Sequence, residues 1–190
     1  ATAINLIGKA AKPVVLAGGG VLYSEAESEI ATFAKANGIP VGETHAGKGA
    51  GRFADAMSIG GMGVGGTSAS AGLAKEADLV IGIGTRFTDF ATGSQSAFKN
   101  PNVQFISINV TAQDAYKQGA HPVVADAKIA LEQITEGLTD YSVSDAWRQR
   151  ITSLKAEWEV TLTNTCAPSG AGPMRQPELI KIVNVLGMDI

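Results

Sequence analysis

Cysteine is all but missing from the 190 residues: Cys166 stands alone. One thiol excludes an internal disulfide framework and any cysteine-built zinc cluster within the chain, and it sets a reducing, cytoplasmic environment as the expectation. Charge is scarce too, at 17% of residues with a net charge of -3. That balance leaves no basic footprint, so nucleic acid is not expected as a partner. Long apolar runs are lacking: none approaches the roughly 20 residues that span a bilayer, and no signal-like start is present, so no membrane partner is expected. There are two histidines, His45 and His121, and neither G-x-S-x-G, H-E-x-x-H nor an EF-hand loop occurs. No catalytic residue and no metal ligand is assigned.

What the chain has instead is glycine, 23 residues of it, among short apolar runs. The run Leu79-Val80-Ile81-Gly82-Ile83 reads as a strand buried on both faces, as the centre of a parallel sheet requires. Similar runs begin at Pro13, Ile39, Met57, Val103 and Pro122. Helical patterns lie between them, with caps read at Ser24 (a capping box with Glu27), Thr67 or Ser68, Asp126 and Ser144. Strand and helix alternate about six times. The pattern predicts an α/β fold: a Rossmann-like open parallel sheet of about six strands, helices on both faces, and a C-terminal helical extension. Residues 1–140 are expected to form the Rossmann-like domain and 141–190 the extension and linker. In the extension, Trp147, Ile151, Leu154, Trp158 and Leu162 make one apolar helical stripe, expected to bury against the sheet domain, a neighbouring domain or a second copy. Asn164 to Pro177 reads as a linker. Ala1 falls mid-helix and Met188-Asp189-Ile190 breaks off where a strand would begin, so both ends read as cut from a longer polypeptide.

Open α/β sheets place ligands beyond the carboxyl ends of their strands, at the point where strand order reverses. The expected switch point lies between the Val14 and Leu79 strands, with the loops at Gly18-Gly19-Gly20 and Gly84 facing one cleft. Gly18 to Gly20 either present backbone N–H groups to a phosphate or only permit tight strand-to-helix packing. Gly61 to Gly66 offers a second backbone-lined wall or a plain turn. Arg86 and Asp89 follow the central strand, either toward a ligand or paired with each other. His45, at a strand's carboxyl end, is a better site candidate than His121, at a strand entrance. Cys166 is read as incidental.

Several segments together resemble the central domain of thiamine-diphosphate enzymes of the acetolactate-synthase type. They are K-P-V-V-L-A-G-G-G at Lys12, G-I-P-V at Gly38, G-M-G-V-G-G-T at Gly61, A-D-L-V-I-G-I-G-T-R-F at Ala77 and V-V-A-D-A at Val123. In order they cover about Lys12 to Leu138. Within that family, E-T-H-A-G-K-G-A at Glu43, T-R-F-T-D-F-A-T-G-S at Thr85 and F-I-S-I-N-V at Phe105 are similar to the branch that hydrolyses a cyclic diketone in myo-inositol catabolism. Acetolactate synthases carry acidic residues in place of Thr88 and Asn109, and an arginine in place of Phe90.

The resemblance implies carbon–carbon bond hydrolysis, with thiamine diphosphate and magnesium as cofactors of the full-length enzyme and none on this fragment. The activating glutamate and the G-D-G metal motif of the family belong to N- and C-terminal domains, which become the expected partners within one polypeptide, together with a homo-oligomer. The resemblance also marks Gly18, Gly19, Gly20, Gly84, Arg86 and Asn109 as a candidate nucleotide cleft, possible for FAD but not favoured for it. The alternative readings are the FAD-binding central domain of an acetolactate synthase and a stand-alone nucleotide-binding module.

Overall fold

The computed structural model describes residues 1–51, 56–170 and 172–187. Arg52 and Phe53, at the end of the glycine-rich connection, and the expected strand start at Met188-Asp189-Ile190 lie outside the described residues.

Six parallel strands form the sheet: β1 (Pro13–Ala17), β2 (Val41–Glu43), β3 (Ser58–Gly61), β4 (Leu79–Ile83), β5 (Gln104–Asn109) and β6 (His121–Val124). Their spatial order is β3-β2-β1-β4-β5-β6. β1 and β4 pair in register from Pro13 opposite Leu79 to Ala17 opposite Ile83, and every residue of both strands is buried. Continuous β-branched and aliphatic runs are what such doubly covered strands demand. The order reverses between β1 and β4, at the expected switch point.

Helices cover both faces. α1 (Thr2–Lys9), α3 (Glu27–Asn37) and α7 (Ala127–Gly137) pack together, while α4 (Ser68–Glu76) packs with the long α8 (Asp145–Thr165). The β1-to-β2 crossover through α3 and the β3-to-β4 crossover through α4 run in opposite directions across the sheet, so right-handed connections put α3 and α4 on opposite faces. The core joins Ile30, Phe33, Leu73 and Leu131 from the helices to Leu16, Ile81 and Ile106 from the sheet. The short helices α2 (Gly19–Tyr23), α5 (Asp89–Thr92) and α6 (Ala112–Ala115) line the carboxyl edge, and α9 (Gln176–Gly187) follows the linker. No helix among the described residues is long and apolar enough to cross a membrane.

The caps at Thr67, Asp126 and Ser144 form as read: Thr67 accepts from the Ser70 N–H, Asp126 from those of Lys128 and Ile129, and Ser144 from that of Trp147. Ser24 departs from expectation. It closes α2 and caps nothing, and α3 starts after Ala26 with no side-chain cap. Its hydroxyl donates instead to Asp126 Oδ2 at 2.7 Å. A charged acceptor makes the stronger hydrogen bond, and Glu25 in the left-handed region (φ 50) separates the two helices.

The α8 stripe buries only in its first half. Trp147, Ile151 and Leu154 enter the sheet domain's core, and the Trp147 Nε1–H donates to the Pro13 carbonyl at 3.2 Å. Trp158 is half-buried, whereas Leu162 is 40% exposed. Arg150 adds an ion pair to Glu76 at 2.9 Å, and the Tyr141 hydroxyl donates to the Ala10 carbonyl at 2.8 Å.

Candidate ligand cleft at the carboxyl edge

The strand that ends at Ala17 continues its ladder one step into the glycine turn. The Gly18 N–H donates to the Ile83 carbonyl at 2.8 Å and the Gly20 N–H to the Gly84 carbonyl at 3.0 Å. Gly84, at φ +60, donates in turn to the Ile108 carbonyl at 2.8 Å. Main chain thus lies directly on main chain: a Cβ on Gly18 would fall 2.3 Å from the Gly84 oxygen, and one on Gly20 2.5 Å from the Gly84 Cα. Of the two readings of this turn, close packing accounts for Gly18 and Gly20. Among the described residues, only the Gly19 N–H of the three meets no acceptor.

A cleft of about 1090 Å³ opens above this contact. Gly18, Gly19, Gly20, Gly84, Arg86 and Asn109 all line it, so the residues singled out in the sequence converge on one place. Arg86 is exposed and forms no ion pair with Asp89 among the described residues. Asn109 is buried and bridges two loops: its Nδ2 donates to the Thr85 carbonyl at 3.1 Å, and its Oδ1 accepts from the Thr111 N–H at 3.1 Å. His45 and the Met62–Gly65 wall line the cleft as well, while His121, at the opposite end of its strand, does not. Between the lining residues Ala125 and Ala127, Asp126 accepts from the Ser24 hydroxyl, which holds its carboxyl below the usual carboxylate range.

Two features escaped the sequence reading. Tyr23 stands 92% exposed at the cleft wall, one helical turn beyond Gly19, a spacing that had offered a signal. Glu43 is only 4% exposed at the carboxyl end of β2, and its Oε1 accepts from the N–H groups of Gly49 (3.2 Å) and Gly51 (2.6 Å).

Residues 1–134 match the family model described as "Thiamine pyrophosphate enzyme, central domain". The chain belongs to that family. This thiamine pyrophosphate enzyme central domain is 43% identical over 160 residues to the 3D-(3,5/4)-trihydroxycyclohexane-1,2-dione hydrolase of Clostridium tetani, covering 84% of this chain and 25% of that protein. The enzymes of the same name from Clostridium botulinum and Bacillus cereus are each 44% identical, over 156 and 163 residues. Those matches cover 82% and 86% of this chain, and 24% and 25% of the two relatives. The central domain therefore spans about a quarter of the length of the curated relatives it matches.

Proposed function

We propose that the chain works as the central domain of a longer, thiamine diphosphate- and magnesium-dependent enzyme that hydrolyses a carbon–carbon bond of a cyclic trihydroxydiketone. The observation that carries this reading is identity of 43–44% to hydrolases of that name over more than four-fifths of the chain. In it, residues 1–140 are the Rossmann-like unit and 141–190 the extension toward a further domain of the same polypeptide. The whole assembles as a cytoplasmic homo-oligomer, with neither nucleic acid nor a membrane as partner.

The cofactor chemistry is assigned to the other domains. Magnesium takes several oxygen ligands, and among the described residues no group of three His, Cys, Asp or Glu side chains is placed to hold a metal ion. In this reading the thiamine diphosphate–magnesium pair is held by the other domains of the polypeptide. The cleft of Gly18, Gly19, Gly20, Gly84, Arg86 and Asn109 is proposed as a nucleotide cleft in which Arg86 meets a phosphate. Flavin is not favoured: the hydrolysis involves no net redox change, and Thr88 and Phe90 bring no charge to the rim.

The test of the whole reading is a graft. This chain replaces the matching segment of the Clostridium tetani hydrolase, and the chimera is assayed for ring opening. Retained hydrolysis is expected; a folded, cofactor-loaded chimera without it overturns the assignment. For the cleft, excess FAD is added and the protein desalted. Near-stoichiometric retained flavin absorbance would move the assignment toward acetolactate synthase.

A further inference from the structure

Beside the main cleft, between the carboxyl ends of β2 and β3, lies a side pocket of about 240 Å³. It is bordered by Glu43, Lys48, Gly61 and Gly66, and it shares Thr44, His45, Met62, Val64 and Gly65 with the cleft. That volume is below the drug-sized range of about 300–1,000 Å³ and suits a ligand of monosaccharide size.

The Glu43 carboxylate is the unusual group. Its Oε1 is engaged by two backbone N–H groups, but among the described residues nothing donates to Oε2. Nor is Oε2 sealed in: the one fully enclosed side-chain atom without a partner among the described residues is Ser107 Oγ. Glu43, only 4% exposed as a residue, thus lines the pocket with a carboxylate of which one oxygen is engaged by no described residue. Burying a charge is costly unless it is hydrogen-bonded, so an open acceptor here marks a place where a donor belongs.

The charges at the pocket narrow the donor's chemistry. Lys48 lines the same space, is exposed, and makes no ion pair with Glu43. A cationic ligand meets repulsion from Lys48, and an anionic one from Glu43. A neutral group that both donates and accepts satisfies the two side chains together, and adjacent hydroxyls are such a group. We propose that this side pocket binds a vicinal diol on a small polyhydroxylated ring. One hydroxyl donates to Glu43 Oε2, and its neighbour accepts from the Lys48 ammonium. A cyclitol entering the pocket itself and the ribose of a nucleotide in the main cleft present the same chemistry. Choosing a cyclitol as the first probe rests on the proposed function; the diol chemistry does not.

The test is an amide NMR titration of the full chain with myo-inositol, with adenosine and with 2′,3′-dideoxyadenosine, followed at Gly49, Gly51 and Gly65. Glu43→Gln keeps an oxygen for the Gly49 and Gly51 N–H groups and replaces the open acceptor with a donor. Lys48→Met, on the exposed side, serves if the buried substitution unfolds the chain. Saturable shifts with myo-inositol that either variant weakens by about tenfold or more, the scale of a charge-assisted hydrogen bond, are expected. Shifts with adenosine alone, lost in the dideoxy analogue, retain the diol site and make ribose its occupant. Absence of saturable shifts with both diols, or shifts unaltered by both variants, overturns the proposal. No thiamine diphosphate enters the experiment, so failure of the hydrolase reading, judged by the graft, is seen separately.

Discussion

Substituting Gly18 by alanine tests whether the glycine turn is there for packing. The added Cβ would sit 2.3 Å from the Gly84 oxygen, 2.7 Å from its carbonyl carbon and 2.8 Å from the Thr85 Cα. Comfortable non-bonded contact begins near 3.5 Å, so the two strand ends must part by about 1 Å. All three obstacles are backbone atoms; no side chain can swing aside. Overpacking of this kind costs about 1–3 kcal/mol. Parting also stretches the hydrogen bonds from Gly18 to Ile83 and from Gly20 to Gly84, at about 1 kcal/mol each. The expected loss is about 3–5 kcal/mol, which for a chain of this length lowers the melting temperature by roughly 10–15 °C. Gly19→Ala is the matched control, because its Cβ would meet only the Ala46 oxygen at 3.1 Å and carbons at 3.6 Å. Urea and thermal unfolding followed by circular dichroism measure both. If Gly18→Ala stays within about 0.5 kcal/mol of the parent, or Gly19→Ala costs as much, the packing argument fails.

Burial, with Asp78 nearby, pushes the Tyr141 hydroxyl up to about 12. The fold favours the neutral phenol, so its stabilisation is complete below the ordinary tyrosine value near 10 and is lost as pH rises from there through about 12. Tyr141→Phe should lower stability at neutral pH by about 1 kcal/mol and flatten the alkaline limb; an unchanged limb in pH-dependent unfolding contradicts this. The depressed Asp126 carboxyl acts at the other end of the scale, contributing stability above its ordinary value and losing it as pH falls through the folded one. Asp126→Asn, which keeps a capping oxygen, should therefore be less stable at neutral pH, with a gap that closes in acid; a gap constant with pH in urea titrations refutes the assignment. Ser107 is fully buried with no partner for its hydroxyl among the described residues. Ser107→Ala should be neutral or stabilising by up to about 1 kcal/mol, and a calorimetric loss beyond that would mean the hydroxyl has a partner.

The sheet was legible because β1 and β4 are buried on both faces, and double burial leaves an uninterrupted apolar run that few other environments tolerate. Thr67, Asp126 and Ser144 were legible because a cap is settled within one turn of chain. Ser24 matched the same local pattern but found a stronger acceptor in Asp126, a partner that no local window contains. Gly18 to Gly20, Gly84 and Arg86 were legible from their places after strand ends and Asn109 only through the family resemblance, whereas the role of Gly18 was fixed by Gly84, far along the chain. Glu43 read as the last residue of a strand; only the fold-back of Gly49 and Gly51 makes it a half-occupied buried acceptor. The α8 stripe was visible in full, but its burial stops near Leu154. At about 1.5 Å per residue, the 9-residue α4 is too short to cover a 21-residue neighbour.

The backbone-on-backbone contact of Gly18 and Gly20 with Gly84 bears on how such a cleft changes over generations. Its floor is written in peptide groups, which any sequence supplies so long as the three glycines stay. Side chains govern the rim, where Thr88 and Phe90 sit, and exposed rim positions such as Phe90 can turn over one at a time with little effect on folding. A lineage built on this floor can therefore exchange one ligand for another, or give up ligand binding entirely, through neutral steps that leave the architecture intact.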